Sequence, residues 1–275
     1  LVVSSDVHKS VSPAGLIVLA VPSDQLRKNL RQVSPAISSG ATILSAAKGL
    51  ELPQGLRMSQ VMENELPVHL HPGVCVLSGP NLAKEIIQGK ISSTVIAGRN
   101  LDYCRAAQDI LMSNTFRVYT SDDMIGVELG GALKNIIALA AGIADGLQVG
   151  DNAKAALITR GLAEITRLGV AAGAKPLTFA GLAGLGDLVA TCSSPLSRNH
   201  MVGSQLAQGR TWVDISRTMD NVAEGVNTTN AVLVMAKNLG VEMPIAQTTY
   251  QVLFEGLSPQ DAVAQLMDRP PRAEW

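Results

Sequence analysis

Through its first 120 residues the chain alternates short apolar runs with polar, periodic stretches, and after Ser121 that alternation stops. Residues 16–21 are continuously apolar and partly β-branched until Pro22-Ser23 ends the run, which predicts a strand covered on both faces. Residues 41–45, 73–77 and 93–97 repeat the design, and 116–119 predict a last strand. Helical patterns lie between, at 23–33, 56–65, 83–88 and 101–111. Strands alternating with helices predict a doubly wound α/β domain with a mainly parallel sheet.

From residue 123 to about 147 the period becomes helical, with Ser121 or Asp122 as N-cap and Ile125, Leu129, Leu133, Ile136, Ile137 and Ala140 on a buried face. Further helices are expected at 153–172, 201–208, 227–239, 244–254 and 259–267, punctuated by Gly, Pro or Asn, with no comparable strand. The expected organisation is α/β plus all-α: a dinucleotide-binding domain over 1–120, followed by a helical substrate-binding and catalytic domain over 121–275.

Composition narrows the function classes. The 275 residues suffice for two domains; 47% are hydrophobic, 16% charged, and 22 basic against 23 acidic residues leave a net charge of -1. Long disorder and a basic nucleic-acid surface are both poor readings. Cys75, Cys104 and Cys192 are too dispersed for a disulfide framework or a CxxC knuckle, which favours a reducing, cytoplasmic setting. The apolar run 136–143 reads as too short for a membrane span, and no signal peptide is legible. Residues 1–3 read as the tail or whole of a strand.

No G-x-G-x-x-G follows a strand; the nearest candidates, 181–187 and 126–131, sit among helical patterns. A dinucleotide domain is therefore expected to be N-terminally incomplete. Lys134 is the sharpest polar residue, on an apolar helix behind Gly126, Gly130 and Gly131. It reads either as a desolvated acid or base, or as a snorkelling side chain on a helix whose glycines permit close packing. Asp187, after a glycine-dense bend, is a cap or a partner for such a lysine. Ser197-Arg198-Asn199 at a helix start is ordinary capping or a phosphate cradle. Lys48 leaves a strand at the carboxyl edge of the sheet, as does Ser78-Gly79-Pro80-Asn81. His69 and His71 have no acidic or cysteine pair at metal spacing, so no metal site is expected.

In order along the chain, Ala20-Val21-Pro22-Ser23, Ala47-Lys48-Gly49-Leu50-Glu51, Leu77-Ser78-Gly79-Pro80-Asn81, Gly130-Gly131-Ala132-Leu133-Lys134-Asn135, Ala183-Gly184-Leu185-Gly186-Asp187-Leu188, Ser197-Arg198-Asn199 and Val222-Ala223-Glu224-Gly225 resemble NAD(P)-dependent glycerol-3-phosphate dehydrogenase of the bacterial type. The resemblance implies a Rossmann-like domain, here expected to lack its glycine-rich strand-loop-helix unit, and interconversion of sn-glycerol 3-phosphate and dihydroxyacetone phosphate with NAD or NADP. It implies Lys134 as the catalytic residue and Lys48, Gly79, Asn81, Asp187, Ser197, Arg198 and Asn199 as substrate contacts. It places Ala83, Arg198, Val222 and Glu224 at the cofactor, and Asn81 stands where the family more often carries Thr or Ser. The implied partner is a small phosphorylated substrate, with neither nucleic acid nor a membrane span, and a homodimer is compatible with it. Alternative readings are a related lysine-dependent 2-hydroxy acid dehydrogenase and a cofactor-incompetent structural module.

Overall fold

The computed structural model describes residues 3–219, 223–271, 273 and 274. Of the residues read as a strand tail, Leu1 and Val2 lie outside the described residues, and Val3 is exposed in no regular element. Seven strands form among the described residues: β1 (Leu16–Leu19), β2 (Thr42–Ser45), β3 (Leu50–Glu51), β4 (Leu56–Arg57), β5 (Val74–Ser78), β6 (Ser92–Gly98) and β7 (Phe116–Ser121). Five build one sheet in the order β1-β2-β5-β6-β7, while β3 and β4 pair as a separate antiparallel ladder. In this five-stranded sheet the registers Leu16↔Thr42, Ile43↔Val74 and Ser92↔Phe116 are parallel, while β5 and β6, with Cys75 opposite Gly98, run antiparallel. All four residues of β2 are buried, as a strand covered on both faces requires.

The expectation of an N-terminally incomplete sheet with bare apolar faces at residues 16–21 and 41–45 is corrected for β2 and for one face of β1. The other face of β1, at the edge of the sheet, stays open with Val18 46% exposed, against the expectation of a strand covered on both faces. Ile17, Leu19 and Ile43 are buried in one cluster with Leu26, Leu30 and Val61 from the helices Leu26–Val33 and Met58–Glu65, and Val11 of the helix Val7–Val11 closes its end. The first domain is present as a packed Rossmann-like sheet-and-helix unit.

No strand follows β7 among the described residues. The 23-residue helix Met124–Gly146 runs through the second half, and its N-cap is Asp123, one residue beyond the expected candidates, whose Oδ1 accepts from the Gly126 N–H at 2.9 Å. Its glycines answer to protein neighbours: a Cβ at Gly130 would sit 2.4 Å from the Ala183 carbonyl oxygen, and one at Gly131 2.2 Å from Ser78 Oγ. The helix Arg198–Ala207 lies equally close, since a Cβ at Gly142 would meet the His200 carbonyl oxygen at 2.0 Å and one at Gly203 that of Leu139 at 2.0 Å. By length and composition this central helix is apolar enough to cross a membrane, contrary to the shorter run read from 136–143, but 89% of its most apolar window is packed inside the protein. The segment Pro176–Ser193 passes the same test with 39% packed inside.

Arg57 at the end of β4 ties the two halves, donating to Glu128 of the central helix at 2.6 Å, while the Ser59 N–H and hydroxyl donate to the same carboxylate at 2.7 and 2.6 Å. These bonds fix the face of the helix that carries Lys134 relative to the carboxyl edge of the sheet.

Candidate active site

Lys134 lies midway along the central helix, almost fully buried, and its Nζ donates to Asp187 Oδ1 at 2.5 Å and to Thr191 Oγ1 at 2.5 Å. Asp187 begins the helix Asp187–Ser193, which continues a single π-helical turn, Leu182–Gly186. That turn is glycine-rich because it must pass against Gly130 and the carbonyl of Phe179, which a Cβ on Gly184 would meet at 2.2 Å. Thr191 follows one helical turn after Asp187 and donates to its carbonyl oxygen at 2.6 Å. The bent, glycine-lined approach thus aims a carboxylate and a hydroxyl at one ammonium.

The second oxygen of Asp187 meets Lys48, which leaves β2: Lys48 Nζ donates to Asp187 Oδ2 at 2.7 Å and to the Gly79 carbonyl at 2.7 Å. Gly79 follows β5 with φ +152°, and a Cβ there would lie 2.9 Å from both the Ser93 carbonyl oxygen and Thr94 Cα, so the turn presenting that carbonyl has no room for a side chain. Two ammoniums therefore share one buried carboxylate, leaving a local excess of one positive charge. Burial, reinforced by the neighbouring Lys48 charge, lowers the Lys134 pKa to about 8 against the opposing pull of Asp187. Such a lysine gives up a proton as the ammonium or takes one as the amine near neutrality.

Around this centre runs a relay of amides. Asn135 Nδ2 donates to the Lys48 carbonyl at 3.0 Å, Asn199 Nδ2 to Asn135 Oδ1 at 3.0 Å, and the Gly225 N–H to Asn199 Oδ1 at 3.0 Å. Neighbouring Glu224 accepts from the Ser23 N–H at 2.9 Å and also from the Ser23 hydroxyl. Ser197 is the buried N-cap of the helix Arg198–Ala207, its Oγ accepting from the His200 N–H at 3.3 Å. Arg198, the first helical residue, is exposed and has no hydrogen bond or ion pair among the described residues.

The residues predicted from sequence thus divide. Lys48, Gly79, Lys134 and Asp187 converge in one hydrogen-bonded cluster, and Asn199 reaches it through Asn135. Asn81 does not turn toward it: its Nδ2 donates to the Ser93 carbonyl at 3.1 Å and its Oδ1 accepts from Thr94 Oγ1 at 2.9 Å, so the amide is spent on β6. Ala83 is exposed at the start of the short helix Ala83–Ile87, and Val222 lies outside the described residues. Sequence reasoning missed Thr191 and the linking role of Asn135. The first could have been found from its i+4 spacing to Asp187, the second from an amide directly following Lys134 on an apolar helix. No group of three or more His, Cys, Asp or Glu side chains able to hold a metal ion occurs among the described residues.

The carboxyl ends of parallel β1 and β2 deliver Ser23 and Lys48-Gly49 to the helix start at Glu224, and a Cβ on Gly49 would sit 2.3 Å from Ser23 Oγ and 2.8 Å from Glu224 Oε2. This is the edge at which doubly wound sheets take dinucleotides. The residues here fit such a ligand: Glu224 is a partly exposed carboxylate without a cationic partner among the described residues, and the Arg198 guanidinium, next to Asn199, which accepts from the Gly225 N–H, is likewise free among them.

The model of the NAD-dependent glycerol-3-phosphate dehydrogenase C-terminus matches residues 123–264, and that of the N-terminus of the same enzymes matches residues 1–104. The second match corrects the expectation of a first domain without its opening unit: the N-terminal domain is recognisable from residue 1. Similar proteins include the glycerol-3-phosphate dehydrogenase (NAD(P)+) of Dehalococcoides mccartyi, 50% identical over 266 residues, 97% of this chain and 74% of that one. The enzyme of the same name from Anaeromyxobacter dehalogenans is 50% identical over 98% of this chain and 82% of its own. The crystal structure of glycerol-3-phosphate dehydrogenase from Coxiella burnetii superposes with a TM-score of 0.90 at 37% identity, covering 97% of this chain and 81% of that one.

Proposed function

We propose that this chain, which belongs to the NAD-dependent glycerol-3-phosphate dehydrogenase family, interconverts sn-glycerol 3-phosphate and dihydroxyacetone phosphate with NAD(P) or NAD(P)H. The observation that carries the reading is a buried Lys134 ammonium with a pKa of about 8, held by Asp187 and Thr191. The nicotinamide supplies or accepts the hydride when bound. In the reducing direction negative charge grows on the C2 oxygen of the ketone, and Lys134 Nζ stabilises it and donates the proton; in the oxidising direction the neutral amine takes the proton from the C2 hydroxyl. Asp187 fixes the line of that transfer and keeps the two ammoniums together. Lys48 adds its charge beside the reacting oxygen, and the Gly79 turn holds Lys48 in place.

The substrate phosphate falls to Arg198, whose unpartnered guanidinium stands at a helix start beside the capping Ser197 and the Asn199 amide. Glu224, Arg198 and Ala83, with Val222, line the cofactor side in this reading. Residues 1–120 act as the dinucleotide-binding domain and 121–275 as the substrate and catalytic domain, in a cytoplasmic enzyme, compatible with a homodimer, that feeds glycerophospholipid synthesis. Steady-state assays of both directions with NADH and NADPH test the proposal: Lys134→Ala lowers kcat by at least about 10²-fold with folding retained, since alanine is a good helix former. A kcat within threefold of the parent would remove Lys134 from the chemistry.

A further inference from the structure

Ser23 carries no role in the chemistry above, yet it is almost fully buried and spends both of its donors on a single side chain. Pro22 ends the run from β1, and Ser23 opens the one-turn helix Ser23–Gln25, so its N–H and its hydroxyl both face the start of the helix Glu224–Leu239. The N–H donates to Glu224 Oε1 and the hydroxyl to Oε2, which grips the carboxylate at both oxygens and removes the rotational freedom of a long side chain. Gly49, next to Lys48, leaves the space in which this happens: a Cβ there would lie 2.3 Å from Ser23 Oγ and 2.8 Å from Glu224 Oε2. The carboxylate has no cationic partner among the described residues. A carboxylate offers about four acceptor directions. Two neutral donors from Ser23 therefore leave its charge and half of its accepting capacity to whatever enters at the carboxyl edge of β1 and β2.

We propose that Ser23 is the positioning residue of the cofactor site, orienting the Glu224 carboxylate toward an N–H donor of the bound dinucleotide. This rests on the reading that Glu224 faces the cofactor. A residue that only filled the turn after β1 would leave cofactor affinity unchanged when its hydroxyl is removed, and its effect would add to that of any change at Glu224. A residue that acts through Glu224 has no effect once Glu224 is gone.

The experiment is a double-mutant cycle read by isothermal titration of NADH and of NADPH into the wild-type protein, Ser23→Ala, Glu224→Ala and the double variant, with circular dichroism as the check on folding. Ser23→Ala raises the cofactor Kd about 5- to 10-fold, the size expected for the net loss of one ordinary hydrogen bond. Glu224→Ala raises it at least as much, and the double variant matches Glu224→Ala within about twofold. KM for dihydroxyacetone phosphate stays within about twofold in Ser23→Ala, so the loss lies on the cofactor side. Ser23→Cys, near-isosteric with a weaker donor, falls between wild type and Ser23→Ala and answers the question if the alanine variant does not fold. A Ser23→Ala Kd within twofold of wild type while Glu224→Ala is impaired, or additive losses in the double variant, overturns the proposal. Unchanged affinity in Glu224→Ala overturns the underlying reading of Glu224 itself.

Discussion

The inner and outer halves of the site are built on opposite plans. Inside, Lys134, Asp187, Thr191 and Lys48 are buried or nearly so, and every one is hydrogen-bonded to another member of the group. Outside, Arg198 and Ala83 are exposed, and the guanidinium has no partner among the described residues. The inner half has its geometry fixed by the fold, so its contribution belongs to the transition state, where charge appears on one oxygen. The outer half forms its bonds when substrate and cofactor arrive, so its contribution belongs to binding. Variants in the two halves should therefore separate kcat from KM.

The largest effect is expected at the hinge of the inner half. Asp187→Asn removes the charge between two ammoniums, so kcat falls at least about 10²-fold and the Lys134 pKa, without its main raising partner, drops below 8. Steady-state rates across pH check both. At the outer half, Arg198→Lys keeps the charge and loses the planar fork, so KM for the phosphorylated substrate rises about tenfold while kcat changes little. Equal losses on glycerol 3-phosphate and on glycerol would assign Arg198 to the fold or the cofactor. A smaller change comes from Thr191→Val, which deletes one of the two bonds to Lys134 Nζ and lowers kcat several-fold with KM unchanged, again by steady-state assay.

How much of this contrast can be read from the chain alone differs by residue. Lys134 and Asp187 were legible because a lysine on an apolar helix and a carboxylate behind a glycine-dense bend both break a local rule. The glycines around them pointed to a close approach, and the visitor turned out to be protein: Ala183 at Gly130 and Ser78 at Gly131. Asn81 has the side chain of a ligand-binding residue, but its amide is used by β6, a long-range pairing that sequence spacing does not encode. A helix starting at Asp187 is legible as a capping reading, but its extent to Ser193 is not, because its entry turn is rich in glycine, which propensity reads as loop. The ladder of β3 and β4 was missed because two-residue strands have no period to detect. The expectation of an incomplete first domain rested on the lack of one glycine fingerprint, whereas the described part of the domain packs its own core and residues 1–104 match the family's N-terminal model.

Glu164 sharpens the lesson about partners, away from the site. Like Asp187 it is a buried carboxylate, but its Oε1 accepts from the Ile245 N–H at 2.8 Å and its Oε2 has no hydrogen-bond partner among the described residues. Burial raises its pKa from 4.5 to about 7. The folded state then holds a proton that the unfolded chain releases between those values, so stability falls as pH rises through that window, by on the order of 3 kcal/mol from this group. Glu164→Gln has no proton to release and should flatten that slope in denaturant titrations at pH 5 and pH 8. An unchanged slope would show that another group carries it.

The central claim is that Lys134 moves the proton, and the pH dependence of kcat/KM in both directions tests it most directly. Reduction of dihydroxyacetone phosphate needs the ammonium, so its rate falls as pH rises through about 8; oxidation of glycerol 3-phosphate needs the free amine and rises through the same value. Mirror-image limbs near pH 8, both displaced downward in Asp187→Asn, are the predicted result. Flat profiles between pH 7 and 9, or limbs that stay in place when Asp187 is neutralised, would contradict it.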